Sequence, residues 1–393
     1  MKNIHYILSI LMLNFLFLGF VSFISAQETK PQDKAALREQ ALDFVRQNRY
    51  IDAFPLLEKL APLYTNDAEV WTHYGIAILA RSSTLSSADE RKTERIKGYN
   101  VLTKAKQLGT KNVIALDLLD SLSPDGGEED NFDGSPEFEK NLREGEGFFG
   151  RGEYEKAFAA YEKAYKINPK SYEAVLFMGD TLYASGKYKE SEMWFAKAAE
   201  LEPNREQAFR FWGDALMNQN KASEARDKFV NALVAEPYSR ITWDRLGRWI
   251  DEAKVKVAPL QITPPGNEAS GELEINEKLL KGDDGTANWK FYNEVRKMQV
   301  IANGSGTRTL AEEVAAYRKV AEAVRKDLKS GKLKTPSQSL SNLIKLDDEG
   351  LLEAYILLIR ADENISQEYD GYRTKNRDKL RKFVVEFVLG MNK

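Results

Sequence analysis

Residues 138–171, FEKNLREGEGFFGRGEYEKAFAAYEKAYKINPKS, 172–205, YEAVLFMGDTLYASGKYKESEMWFAKAAELEPNR, and 206–239, EQAFRFWGDALMNQNKASEARDKFVNALVAEPYS, decide how this chain folds. Set under one another, they align Gly145, Gly179 and Gly213 in one column and Tyr161, Phe195 and Phe229 in another. Ala157, Ser191 and Ala225 form a third column, Ala164, Ala198 and Ala232 a fourth, and Pro169, Pro203 and Pro237 close each copy. The period is 34 residues with no slip, so each copy is one supersecondary unit that must stack on its neighbours to bury its apolar face. A small residue recurs where two backbones approach, an aromatic recurs where the gap between them is filled, and proline recurs where a helix stops. Within 172–205, Val175, Met178, Gly179 and Leu182 lie three and four residues apart on a first helix. Ser191, Phe195 and Ala198 do the same on a second, after the turn Ser185-Gly186-Lys187.

These residues resemble the tetratricopeptide repeat, a helix-turn-helix unit that stacks into a right-handed superhelix. The resemblance rests on Gly145, Phe148, Ala157, Tyr161, Ala164 and Pro169 in the first unit. In the second it rests on Gly179, Leu182, Ser191, Phe195, Ala198 and Pro203, and in the third on Trp212, Gly213, Leu216, Ala225, Phe229, Ala232 and Pro237. Trp243, Leu246, Gly247 and Ile250 repeat the first-helix pattern once more and read as a capping helix. The fold class expected is all-α: a tetratricopeptide-type α-solenoid followed by a small helical carboxy-terminal domain, with a short β-hairpin possible between them.

Working outward, Leu37, Ala41, Phe44, Ala53, Leu57 and Leu60 make a divergent unit, and Trp71, Tyr74, Gly75 and Ile78 begin a second. The second helix of that unit is expected at Ile96–Leu108, displaced by the polar insert 82–87, and a further helix at Val113–Leu122. Residues 27–123 therefore form a smaller repeat block, joined flexibly to the main array or continuous with it as one superhelix with a bulged loop. Residues 124–137 are an acidic Gly/Pro-rich linker and 138–253 the array with its cap. In 254–287, alternation in 255–257, 260–262 and 273–275 around Pro264-Pro265-Gly266-Asn267 suggests the hairpin. Helical spacing returns over 288–302, 309–330, 337–346, 349–361 and 366–391, a packed module with no recognised family.

At the amino terminus, Lys2 precedes an apolar run from Ile7 to Ile24, then Ser25-Ala26-Gln27 and a polar stretch. That order predicts a secretory signal cleaved after Ala26, or alternatively an uncleaved anchor, and places the protein in a bacterial periplasm or envelope, or outside the cell. No Cys follows the run, which excludes a lipid-modified amino terminus.

Composition narrows the chemistry. The 393 residues hold 57 Lys and Arg against 60 Asp and Glu, a net charge of −3 that gives no general attraction to nucleic acid, none of which is expected as a partner. Absence of Cys removes disulfides, thiolate nucleophiles and sulfur-ligated metals. The two histidines, His5 and His73, cannot build a His-rich metal centre, and His73 beside Trp71 and Tyr74 reads as a packing residue. The glycine-rich stretch 303–308 lacks the Gly-Lys-Ser/Thr that holds phosphates, and Asp283-Asp284-Gly285-Thr286 and the 125–133 run lack calcium-loop spacing. The Lys/Arg stripe over 373–382 reads as a solvated helix face. Expected, then, are no catalytic residues, no metal, no cofactor, and membrane contact only through an uncleaved amino terminus.

What remains is the inner face. The resemblance implies a concave groove lined by first-helix residues: Leu142, Glu146 and Phe149, then Leu176, Asp180 and Tyr183, then Arg210, Asp214 and Met217, with Arg248 in the cap. Phe149, Tyr183 and Met217 form an apolar line and Glu146, Asp180 and Asp214 an acidic one, suited to a peptide or protein segment with apolar anchors and basic side chains. Some relatives clamp a terminal carboxylate with Lys, Arg and Asn. Here the asparagine positions hold those three acids, which disfavours that mode. The expected function is a non-catalytic protein-interaction scaffold. Two alternatives are a ligand-binding or hydrolytic activity in the terminal domain around Trp289, Tyr292, Arg296, Arg360, Asp362 and Tyr369, or a purely structural envelope spacer. The groove could also be filled by the chain's own terminal helices.

Overall fold

The computed structural model describes residues 31–127, 135–259, 261–267, 274–280, 283–304 and 308–391. The expected signal segment 1–26, positions 128–134 of the acidic linker, Leu260, Leu273 and residues 305–307 lie outside the described residues.

The 34-residue register becomes pairs of antiparallel helices. They are α6 (Pro136–Phe149) with α7 (Tyr154–Ile167), α8 (Tyr172–Ala184) with α9 (Tyr188–Leu201), and α10 (Glu206–Met217) with α11 (Ala222–Ala235). The helix α12 (Arg240–Glu252) follows alone. The glycine column is the point of closest approach: a Cβ on Gly179 would stand 2.8 Å from the Phe195 ring, and on Gly213 2.6 Å from Phe229. Gly145 meets Tyr161 in the same way, whereas a Cβ on Gly247 would meet nothing, because α12 has no second helix. The turns repeat as faithfully. Gly152, Gly186, Asn220 and Lys254 all have φ between 53° and 80°, and the next amide returns to the helix, as Lys187 N–H does to the Leu182 carbonyl at 2.8 Å. This left-handed residue closes each first helix by satisfying its last carbonyls.

The amino-terminal block holds α1 (Pro31–Arg46), α2 (Tyr50–Leu60), α3 (Ala68–Ser82), α4 (Ala88–Gln107) and α5 (Val113–Ser121). Its helix α4 starts eight residues before the expected Ile96, because Ser87 caps it by accepting from the Glu90 amide. The block has its own apolar core, centred on Leu57, Leu60, Val70 and Ile78, with a satellite of Ile76, Leu102, Ala115 and Leu119. It does not continue the stack of the array. Helix α5 folds back onto α12, with Asp117 accepting from the Ser239 hydroxyl at 2.9 Å and Asp120 pairing with Arg240 at 3.0 Å.

Beyond α12 the hairpin is two residues long. Gly266–Asn267 (β1) pairs antiparallel with Glu274–Ile275 (β2), with Gly266 opposite Ile275. The segment expected as its turn thus supplies a strand, while 255–257 and 261–262 form none. The terminal module comprises α13 (Lys290–Asn303), α14 (Leu310–Lys329), α15 (Gln338–Asp348), α16 (Leu352–Tyr355) running into a π-turn at Ile356–Arg360, α17 (Glu363–Ser366) and α18 (Tyr369–Phe383) running into a second at Val384–Val388. Its core is continuous with the array: Trp289, Tyr317, Tyr355 and Phe387 share one cluster with Phe229, Leu233, Leu246 and Trp249. Helix α12, the expected capping helix, is therefore packed between the array and the terminal module, with Trp249 3% exposed. Of the Lys/Arg stripe on α18, Lys375, Lys379 and Lys382 are exposed as a solvated face requires, and Arg373 departs from it. Tyr369 donates to the Val234 carbonyl at 2.7 Å, and the Arg373 guanidinium, buried, donates to that of Ala235, so two last-turn carbonyls of α11 are satisfied.

Candidate binding cleft

Of the residues carried to the inner face by register, Tyr183, Asp214, Met217 and Arg248 line one cleft, with Asp180 within electrostatic reach of Asp214 on one side and Glu146 on the other. Glu146, Asp180 and Asp214 occupy equivalent positions on α6, α8 and α10, each one turn before Phe149, Tyr183 and Met217. Glu146 accepts from the Tyr161 hydroxyl at 2.8 Å and the Ser83 hydroxyl at 3.2 Å; burial raises its carboxyl against the effect of those two bonds. Asp214 faces Arg245 at 3.5 Å, and burial pushes its carboxyl up to about 6 despite Arg245 and Arg210. Asp180, between them, is half-buried and its carboxylate has no hydrogen-bond or ion-pair partner among the described residues. Burial pushes it up to about 7, Glu146 and Asp214 push the same way, and Arg210 offsets part of the rise.

Tyr183 lines the cleft, and Phe149 and Tyr183 meet Tyr154 and Tyr188 of their own units edge-on, at 5.6 and 5.3 Å between centroids. Leu142 and Leu176 do not line it. They are 1% and 4% exposed, packed into the array's cores with Tyr161 and Phe195, so the register position read as wall is core in these units. Arg210, the third member of that column, is also buried, held at 2.7 and 2.9 Å by both oxygens of Glu206 one turn earlier. It is a fixed ion pair rather than a free cation. Arg248 is largely exposed and pairs with Asp244 at 2.8 Å.

The carboxy-terminal end of the cleft opens into a pocket of about 230 Å³ among α8, α10, α11 and α12. Met217, Phe229 and Trp249 form its apolar part, and Asp214, Arg245 and Glu252 its polar part. Arg245 and Glu252 were not legible from register. Arg245 stands in the column of Arg143, Phe177 and Phe211, and Glu252 in that of Gly150, Ala184 and Asn218. The first of these columns already holds an arginine in the first unit, Arg143, so no break in the pattern marks Arg245.

The terminal-domain residues are spent on packing. Trp289 and Tyr292 are each 1% exposed and meet Tyr317 edge-on, and the Tyr292 hydroxyl donates to Glu313 at 2.7 Å. Asp362 caps α17 and pairs with the buried Arg308 at 3.4 Å, Arg296 bonds to Gln299 at 2.7 Å, and Tyr369 docks on α11. His73 packs beside Tyr50 in the amino-terminal block, the rings tilted with centroids 6.2 Å apart. Among the described residues no group of three His, Cys, Asp or Glu side chains could hold a metal ion, and no helix is long and apolar enough to cross a membrane.

A family model described as tetratricopeptide repeat matches residues 148–211. Among solved structures, the first TPR of Spaghetti (RPAP3) bound to an HSP90 peptide is similar at 19% identity, over 30% of this chain and 95% of that one, with a TM-score of 0.29. The Sgt2 TPR domain from Aspergillus fumigatus is similar at 21% identity, over 36% and 94%, with a TM-score of 0.30. MamA from Desulfovibrio magneticus is similar at 14% identity, over 53% and 97%, with a TM-score of 0.25. No curated protein matches the chain. The matched segment, the unbroken 34-residue register and the helix pairs that it builds agree: this chain carries tetratricopeptide repeats, and its central array is a helical-repeat solenoid of that kind.

Proposed function

We propose that this protein is a non-catalytic interaction scaffold whose inner face binds a peptide or protein segment bearing basic side chains between apolar anchors. One observation carries the reading. Asp180 is a carboxylate without a partner among the described residues, half-buried beside the cleft and flanked by two further acids, Glu146 and Asp214. A group in that position is costly to ionise alone and is relieved by an incoming ammonium or guanidinium. Phe149, Tyr183 and the Met217 pocket supply apolar contact beside it. A partner ending in an acidic tail would meet like charge. The amino-terminal pattern supports export, with residues 27 onward acting in the periplasm, the envelope or outside the cell; amino-terminal sequencing of the mature protein tests this by reading Gln27 or Met1.

The binding reading is tested by quantitative cross-linking with mass spectrometry in envelope extracts, comparing wild type with Asp180→Asn and Asp180→Lys, each checked for unchanged helicity. The expected result is one or two partners weakened by Asn and lost with Lys. Partners unchanged in Asp180→Lys, or cross-links confined to residues 284–393, would put the function in the terminal module.

A further inference from the structure

The cleft is not open to a partner along its whole length, because the amino-terminal block reaches Glu146 on α6 and is also tied to the amino-terminal end of α12. At α6, the Ser83 hydroxyl bonds to Glu146 at 3.2 Å, Arg143 reaches back to the Ser83 carbonyl at 3.5 Å, and Ile51 packs on Gly150 with its amide 3.3 Å from the Gly150 carbonyl. At α12, three helix pairs away in sequence, Asp117 holds Ser239 and Asp120 holds Arg240. The block therefore bridges the first and last inner-face helices of the array.

These contacts are of a kind that can part. The apolar clusters of the block and those of the array share no residue among the described residues, so each unit keeps its core when they separate. The Asp120–Arg240 pair has side chains 43% and 51% exposed, where an ion pair holds little and is screened by salt. The Ser83–Glu146 bond, by contrast, uses an acid that the partner-binding reading needs. A hydroxyl is a weaker partner for a half-buried carboxylate than a cation is, so a basic peptide gains by replacing it.

We propose that residues 31–127 are a displaceable internal occupant of the inner face, a clasp that must leave Glu146 and α12 before a basic peptide engages the acidic line. This rests on the inner-face reading given above. Partner affinity is then the intrinsic affinity reduced by the fraction of molecules in which the clasp is shut.

The absence of native Cys makes the test direct. Spin labels on Lys59→Cys and Glu155→Cys, both exposed, report the distance between α2 and α7 by pulsed electron resonance in the full chain. Wild type should give one short distance, and Asp117→Lys/Asp120→Lys should add a longer population that grows with salt. In unlabelled protein, a fluorescent peptide of alternating Lys and Leu should bind the charge-reversed variant at least five-fold tighter than wild type. A separate Asp117→Cys/Ser239→Cys variant, oxidised to lock α5 on α12, should bind it at least five-fold more weakly until reduced. A single unchanged distance in the charge-reversed variant at all salt concentrations overturns the clasp. So does a distance that opens, or a lock that closes, with peptide affinity unchanged while Asp180→Lys still abolishes binding. If Asp180→Lys leaves peptide binding intact in every form, the inner-face reading itself fails, and the clasp with it.

Discussion

The glycine column separates two things that a glycine can do in a helix. Gly179 and Gly247 occupy the same register position, both in helical backbone, yet only Gly179 faces an aromatic ring on a second helix. Replacing Gly179 with Ala forces Phe195 to shift and should cost about 1–3 kcal/mol. Replacing Gly247 should instead gain up to about 1 kcal/mol of helix propensity. Urea titrations of the two variants check the opposite signs. Asp180 supplies a second residue-scale prediction. It is faced by Glu146 from α6, Tyr154 and Tyr161 from α7, and Arg210 and Asp214 from α10. Its folded pKa of about 7 lies above the ordinary carboxylate value, so between about pH 4 and pH 7 the folded state binds more protons than the unfolded one. Stability falls as pH rises through that window. Asp180→Asn should flatten the fall and raise the melting temperature at pH 8 relative to wild type, with little change at pH 4; thermal melts across pH 4–8 would show a parallel curve if Asp180 were not the group responsible.

At the scale of elements, the second helix of the last repeat explains how the terminal module is attached. Helix α11 carries Val230, Leu233 and Val234 where α9 has Ala196, Ala199 and Glu200, and all three valine and leucine side chains are fully buried. That helix is apolar on two faces because one packs in the repeat and the other against α18. Tyr369→Phe removes the donor to the buried Val234 carbonyl and should cost about 1–3 kcal/mol in denaturant unfolding, with helicity intact. The repeat fold was legible because period, glycine, aromatic and proline are all set by local packing, which sequence spacing records. The site was legible in part: the acidic line is a register property, so Glu146, Asp180 and Asp214 could be read off. Leu142 and Leu176 could not be told from wall residues by position alone, because a first helix turns one face to the cleft and an adjoining face to its own unit's core. The bridging of α6 and α12 by Ser83 and Asp117 left no periodic trace, since those contacts join segments 63 and 122 residues apart.

For the whole molecule, the sharing of cores sets what can be cut. The amino-terminal block keeps its own clusters and touches the array through a few polar contacts and Ile51, whereas the terminal module and the last repeat are one core. Trp249 shows the difference: its ring is buried between array and module, and its indole donates to the Ala222 carbonyl at 2.7 Å. A chain ending at residue 253 would leave Val230, Leu233, Val234, Leu246 and Trp249 facing water along one side of α11 and α12. It would also lose the donors from Tyr369 and Arg373 to the last carbonyls of α11. At about 1.5–3 kcal/mol for each large side chain uncovered, that loss matches the whole stability of an ordinary domain. Such a chain should therefore aggregate or remain partly unfolded, although it retains every repeat intact. A chain beginning at residue 135 loses only the block's contacts and should unfold cooperatively with a melting temperature close to that of the full protein. Sedimentation and circular dichroism of the two truncations distinguish this from a modular string of independent repeats, for which both cuts would be tolerated equally.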